Sequence, residues 1–391
     1  MGSAGGAAGE PRGMMPVYLD YGATTPLDPR VAAAMEPWGV EKFGNPHSAH
    51  RWGYEAAAAV ALAREQVAVL IGAAPDRVQF TSGATESVNW ALKGVLTAPG
   101  QRRNRIVTVA TEHSCVLETA RYLERLGATL TVLPVGEDGL VDIDDVEAAV
   151  SGDEVALVST MLVNNEIGVI QPIADIAGIA HRHGALMHCD AAQGFGKMPV
   201  DVNALGIDLL SVTAHKCYGP KGIGALYIRD GVELEPLLQG GGQEDGRSGT
   251  LPTALCVGLG AAAALAQAEL ETGEAHARRL RDRLLGQLDF DYRINGALDP
   301  RWPGNLNFEV IGIAGERLLS SLRGIAVSSG SACAAQSGRP SHVLLALGRS
   351  PQAARASLRL GWGRFTTEAD IDTAASELNA VVARLKAGRA A

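Results

Sequence analysis

The sequence predicts an α/β protein in two parts: a large domain on a mostly parallel seven-stranded sheet, and a smaller C-terminal α/β domain. Three observations carry that prediction. The 391 residues are enough for two domains of ordinary size. Between residues 77 and 229 short β-rich runs alternate with helical patterns, the order that builds a parallel sheet covered by helices on both faces. Runs such as VALVSTMLV and LLSVT are almost wholly apolar, as strands buried on both faces must be.

Taken in order, residues 1–15 (MGSAGGAAGEPRGMM) are small and lack the apolar stretch of a signal peptide, so they read as a disordered leader. Strands are expected at 77–81, 105–110, 129–135, 154–163, 185–190, 209–215 and 225–229, with helices at 85–96, 115–126, 143–150 and 173–183. The pattern changes after residue 252. An Ala-rich helix at 253–270 leads into a charged helical run to about 288. The strands LNFEVI, IAVSS and SLRLGWG then alternate with helices at 316–322, 341–347 and 368–386. The expected division is leader 1–15, large domain 16–258 and small domain 259–391.

Composition narrows the function. Hydrophobic residues at 47% and charged residues at 20% exclude a wholly disordered or collagen-like chain. A net charge of −9 and a pI near 5.5 exclude a global basic footprint for nucleic acid, and no apolar run reaches membrane-spanning length. The cysteines are Cys115, Cys189, Cys217, Cys256 and Cys333: an odd count with no CxxC pair. That excludes a zinc ribbon or dense disulfide framework, leaves at least one thiol free and fits a reducing cytoplasm. No metal is expected. His181 and His183 lie at a helix end with no further ligands nearby, and read as a solvated terminus. Glycine is in excess, with 47 residues, which points to tight turns or backbone lying close to a ligand.

Candidate chemistry gathers at strand ends. In SVTAHKCYGPKGIG an apolar strand runs straight into His215 and Lys216, then into a glycine-rich turn. A snorkelling lysine at a strand terminus fits this segment. So does a lysine of lowered pKa that forms a Schiff base. Asp190 closes another apolar strand in ALMHCDAAQ, where it suits either a turn cap or a pyridinium partner that makes the ring an electron sink. The small-residue turn TSGATES offers backbone N–H groups at a helix start, as an ordinary cap or a phosphate cradle. Cys333 sits among small polar residues in SSGSAC and AAQSGRP. A lone cysteine is usually inert packing, but a polar, mobile loop is where a thiolate reacts.

Together these segments make the chain resemble the cysteine desulfurases of the pyridoxal-phosphate-dependent class V aminotransferase family, with fold type I architecture. The resemblance spans residues 17 to about 386. It rests on YLDYGATTPLDPRV, FGNPHSAHRWG, FTSGATESVNWALKG, TEHSCVLET, VNNEIGVIQPI, HCDAAQGFGK, TAHKCYGPKGIGALY, GRSGTLPT, SSGSACAAQSGRPSHVLLALG and SLRLGWGRFTTEADID, in that order.

The resemblance implies the roles. Lys216 carries pyridoxal 5'-phosphate as a Schiff base. Asp190 pairs with the pyridine nitrogen, Gln193 with the phenolic oxygen, and His113 stacks on the ring and moves protons. Ala84, Thr85, Thr213 and His215 hold the phosphate. Thr250 reaches the phosphate of a partner subunit, so a homodimer with shared active sites is implied. Arg359 clamps the substrate carboxylate and Asn165 lies beside substrate and cofactor oxygen. Cys333 attacks the sulfur of L-cysteine, keeps it as a persulfide and leaves L-alanine. The remaining cysteines read as packing, although Cys115, at a helix start, lies where the helix dipole lowers a thiol pKa.

One segment departs from the family. In GGGQEDGRSGT, Asp245 stands where relatives carry a second arginine (ERGxRSGT), which puts the local dimer contact and substrate entry in question. The resemblance implies sulfur supply for iron–sulfur cluster assembly or for tRNA or DNA thiolation. An acceptor protein, scaffold or thiolation enzyme, would receive the sulfur, with no direct contact to nucleic acid or membrane. A selenocysteine lyase or other class V lyase is the alternative among enzymes, and a silent sulfur-relay scaffold the alternative outside them.

Overall fold

The structure, a computed structural model, describes residues 15–152, 154–244, 246–329 and 339–388. Cys333, Asp245 and nearly all of the leader lie outside the described residues. The chain opens with β1 (Val17–Tyr18), α1 (Pro29–Met35), α2 (Pro37–Val40) and α3 (Arg51–Leu70). Strands and helices then alternate: β2 (Val78–Thr81), α4 (Ala84–Leu96), β3 (Arg105–Val109), α5 (Ser114–Arg125), β4 (Thr129–Leu133), α6 (Ile143–Val150), β5 (Val155–Met161), α7 (Ile173–Arg182) and β6 (Leu186–Asp190). After β7 (Leu209–Thr213) and β8 (Gly224–Ile228), the long α8 (Thr253–Leu285) leads into the second part. That part holds β9 (Tyr292–Ile294), β10 (Asn305–Val310), α9 (Gly315–Ser321), β11 (Ile325–Ala326), α10 (His342–Ala346), α11 (Pro351–Arg355), β12 (Ser357–Gly361) and α12 (Glu368–Ala387).

The seven expected strands form one sheet in the order β2-β8-β7-β6-β5-β3-β4. Strands β7, β6, β5, β3 and β4 run parallel, and β8 is antiparallel to both its neighbours. β5 and β7 are buried at every position, as their unbroken apolar runs require. β7 stops at Thr213, two residues short of the expected end. There the chain enters a 3₁₀ turn, Ala214–Lys216, closed by Cys217 N–H on Ala214 C=O at 2.8 Å. That early stop swings Lys216 off the sheet line.

Four differences lie outside the sheet, two of them being β9 and α11, where no element is expected. The sequence reading places no element before residue 77, where α1, α2 and α3 lie. The Ala-rich helix and the charged run after it are one helix, α8, so the expected boundary between 258 and 259 falls inside it. Gly258 and Gly260 do not break α8, because tertiary packing uses them. A Cβ on Gly260 would stand 2.5 Å from Ala63 Cα, so α3 and α8 touch almost backbone to backbone. The first half of α8 is long and apolar enough to cross a membrane by composition, yet Cys256, Leu259, Ala262, Ala263 and Ala266 are all buried in the core.

The second part carries an antiparallel sheet, β12-β10-β9, with Arg359 opposite Asn307. The N-terminal segment returns here: β1 pairs parallel with β11, and Asp20 bridges to Gly361. Residues assigned by order to the large domain are thus strand partners of the small one.

Candidate active site

A cavity of about 460 Å³ opens at the carboxyl ends of the parallel strands, where ligands bind in open α/β sheets. The turn after β2 contributes Gly83, Ala84 and Thr85, and the end of β3 contributes His113. β5 leads to Asn165, β6 ends on Asp190, and β7 leads through Thr213 to His215 and Lys216. Gly22–Thr24 close it from the N-terminal segment, and Arg359 comes from β12 of the second part. The structure thus brings nine of the sequence-predicted residues to one cavity.

Asp190 is 5% exposed, and its Oδ1 accepts from Ala192 N–H at 2.9 Å. The other oxygen takes no hydrogen bond from the described residues, so a cationic N–H in the cavity would complete its pairing. Below it, His188 sits between the Ser159 and Ser211 hydroxyls at 2.8 and 2.9 Å. Burial pushes its pKa down to about 4, so the imidazole beneath Asp190 stays neutral.

His113 caps α5: its Nδ1 accepts from Cys115 N–H at 3.2 Å. The ring proton therefore sits on Nε2. Burial lowers its pKa; Asp190 pulls it back up, while Lys216 and His342 add to the lowering. Glu112, fully buried, accepts from Met161 N–H at 2.6 Å. Its second oxygen has no partner among the described residues, and burial raises its pKa well above the ordinary carboxyl value. Cys115 also lines the cavity, but burial, with Asp190 and Glu112 nearby, raises its pKa. The lowered value expected from the helix start is overturned, because desolvation outweighs the dipole of a short helix.

The opposite requirement is met at α4. Gly83, at φ +148°, is its N-cap and gives no side-chain cap. The N–H groups of Ala84 and Thr85 find no acceptor among the described residues and face the cavity with Thr213 and His215. Gly224 permits this approach: a Cβ there would stand 2.7 Å from Gly83 Cα and 2.4 Å from Val212 O. His215 Nδ1 lies 3.1 Å from Thr24 Oγ1, and burial plus the Lys216, Lys221 and Lys197 cations push its pKa down to about 4. Uncapped amides at a helix start beside two lysines make an anion site.

Arg359 is 1% exposed. Its Nη2 donates to Asp20 Oδ1 at 2.6 Å and its Nη1 to Asn165 C=O at 3.1 Å, while its buried Nε has no partner among the described residues. A Cβ on Gly22 would lie 3.3 Å from that Nε, so glycine keeps the guanidinium's edge open. An unpartnered buried N–H on a cation calls for an anionic acceptor such as a carboxylate.

An open carboxylate, a strand-end lysine and a cradle of uncapped amides on one cavity form the donor set that pyridoxal 5'-phosphate needs. Two assigned residues stand outside the wall. Gln193 lies just behind it: its Nε2 donates to Gly22 C=O at 2.7 Å and its Oε1 accepts from Lys197 at 2.8 Å. Thr250 is exposed, at the end of a segment that Arg247 ties to Glu86 at 2.9 Å. His181 and His183 are held by Asp208 and Glu147, at 2.9 and 2.7 Å, rather than left to solvent. The sequence reading assigned no role to Asp20, Gly22, Thr24, Ser82, Lys221 or Lys197. All six lie in quoted motifs: the first three in YLDYGATTPLDPRV, Ser82 in FTSGATESVNWALKG, Lys221 in TAHKCYGPKGIGALY and Lys197 in HCDAAQGFGK.

Three comparisons bear on this arrangement. The family profile described as Aminotransferase class-V matches residues 17–373. The chain is 50% identical over 379 residues to a protein named cysteine desulfurase IscS from Rickettsia akari, covering 95% of this chain and 92% of that one. A solved NifS-like protein superposes with a TM-score of 0.89 at 37% identity, over 95% of this chain and all of that one. Another, solved as SspA in complex with cysteine, gives 0.80 at 38% identity, over 90% of this chain and 99% of that one.

Proposed function

The chain belongs to the aminotransferase class-V family and is a cysteine desulfurase that uses pyridoxal 5'-phosphate, and from that premise we propose how its residues divide the work. The cofactor, when bound, supplies a sink for the electrons released at the substrate α carbon. Lys216 Nζ would hold the cofactor and, when free of it, would be the base that takes the α proton. Asp190 keeps the pyridine nitrogen protonated with the oxygen that Ala192 leaves open. His113 would lie beside the cofactor ring, with its proton on Nε2 because Nδ1 accepts from Cys115 N–H. The Ala84 and Thr85 amides, with Thr213 and His215, receive the phosphate. Gln193 serves the phenolic oxygen, and Asn165 lies beside substrate and cofactor.

Arg359 grips the carboxylate of L-cysteine, with Asp20 holding the guanidinium in place beforehand. The Cys333 thiolate would then attack the substrate sulfur: an S–S bond forms, the carbon–sulfur bond breaks with its electron pair left on the β carbon, and protonation of that carbon gives L-alanine. A second thiolate lifts the persulfide sulfur by the same exchange. We place the enzyme in the cytoplasm as a homodimer whose Thr250 faces the partner's phosphate. An acceptor protein takes the sulfur toward iron–sulfur cluster assembly; similarity to IscS along the whole chain favours that destination over tRNA or DNA thiolation.

The observation that carries the assignment is Asp190 and Lys216 at the ends of neighbouring strands β6 and β7, on one cavity with Arg359. The test is turnover of L-cysteine by the cofactor-loaded protein in the presence of a thiol. Equal yields of alanine and sulfide are expected, with Lys216→Ala losing both and Cys333→Ala losing sulfide release. Undiminished sulfide from Cys333→Ala would sink the persulfide step and favour a lyase.

A further inference from the structure

Lys197 is a buried-side lysine that the mechanism does not use. It lies four residues after Gln193, on the turn that follows β6, and that spacing puts both side chains on one side of the turn. Gly196 lets the chain pass there. Its φ is +69°, and a Cβ would stand 2.1 Å from Cys217 Sγ. Lys197 Nζ donates to Gln193 Oε1 at 2.8 Å, and no carboxylate pairs with it among the described residues. On its other side Lys197 lines a second cavity of about 320 Å³, away from the catalytic one.

The two ends of the Gln193 amide are chemically opposite. Its Nε2 donates to Gly22 C=O at 2.7 Å, and Gly22 is part of the catalytic cavity wall. With Lys197 in its ammonium form, a flip of the amide would set Nε2 against it, donor against donor, and Oε1 against the Gly22 carbonyl, acceptor against acceptor. Both bonds would be lost in a buried place, where such loss is costly.

We propose that Lys197 is a positioning residue: it locks the Gln193 amide so that its N–H groups, rather than its oxygen, face the cofactor side of the cavity. The inference rests on the reading that Gln193 serves the cofactor's phenolic oxygen. A donor there draws charge from that oxygen and weakens the hold on a proton at Lys216 Nζ. Loss of the lock therefore raises the proton affinity at Nζ. Burial, and then the nearby Lys216 and Arg359 cations, push the Lys197 pKa down to about 7, so the side chain carries its charge below that pH. Removing that charge would also raise the proton affinity at Nζ, so the test must separate field from position.

A double-mutant cycle does so. The pH titration of the visible absorption band is measured on cofactor-loaded wild type, Lys197→Met, Lys197→Arg, Gln193→Ala and the Gln193→Ala/Lys197→Met pair. We expect Lys197→Met to raise the midpoint by about half a unit or more, roughly a threefold gain in proton affinity. Lys197→Arg, which keeps a donor, stays near wild type, and Lys197→Met adds nothing in the Gln193→Ala background. Equal shifts in both backgrounds would show a field effect and overturn the proposal, as would no shift. If Lys197→Met does not load cofactor, Lys197→Arg decides: a midpoint matching Gln193→Ala overturns it. A wild type that takes up no cofactor would instead overturn the functional reading.

Discussion

At the scale of single residues, the site works because burial is used selectively. Arg359 is almost wholly buried yet keeps Nε without a partner among the described residues, while Asp20 and the Asn165 carbonyl hold the rest of the fork. A lysine there would keep charge but lose the planar fork. Arg359→Lys should raise KM for L-cysteine about ten- to a hundredfold while the cofactor spectrum stays unchanged, as steady-state kinetics and absorption would show. His188 shows the other use of burial. The unfolded chain takes up its proton near pH 6.5, and the folded protein refuses it until about pH 4. Its contribution to stability is therefore lost as pH falls through that window. Urea melts across the window should show a shallower fall in a His188→Gln variant. Lys216 and Asp190 were readable as residues because charged groups seldom end apolar strands without a purpose, and Arg359 through the resemblance carried by SLRLGWG. The role of Asp20 was not, because its partner Arg359 lies 339 residues away and only packing brings the two together.

At the scale of elements, glycines decide how closely backbones meet. Gly224 lets β8 pass Gly83, which sets the uncapped start of α4 against the cavity. Gly224→Ala should weaken pyridoxal-phosphate affinity about tenfold or more, read by equilibrium dialysis, because the α4 amides must retreat from the phosphate. Gly260 sets the contact of α3 with α8. Gly260→Val should cost about 1–3 kcal/mol in a denaturant melt, through overpacking. Strand identity was legible to within a few residues, since buried parallel strands advertise themselves as apolar runs. The strand β7 end was not, because nothing local marks where pairing with β8 gives way to the turn carrying Lys216. The continuity of α8 was equally hidden: its glycines look like breaks until α3 is seen against them.

At the scale of the whole molecule, the catalytic cavity is a junction. Its floor comes from one sheet, Arg359 from the second part, and the N-terminal segment ties both through β1, Asp20 and Gly22–Thr24. The proposed homodimer adds a further contributor, since Thr250 is exposed and outside its own chain's cavity. Sedimentation should give about twice the 40.7 kDa chain mass. Thr250→Ala should loosen the cofactor without changing that mass; a monomeric wild type with full cofactor affinity would contradict shared sites.

The order of strands and helices, the buried sheet and the chemistry-bearing residues were determined by the sequence itself. Apolar runs, glycine turns and misplaced charges are local signals, and a motif keeps its residues together along the chain. Which of those residues meet, and in what protonation state, was decided only by the tertiary structure. Arg359 reaches Asp20, the Cys115 pKa rises instead of falling, and Gln193 is turned by Lys197. Contact and desolvation belong to three-dimensional packing, and residues far apart in the chain carry no local mark of either.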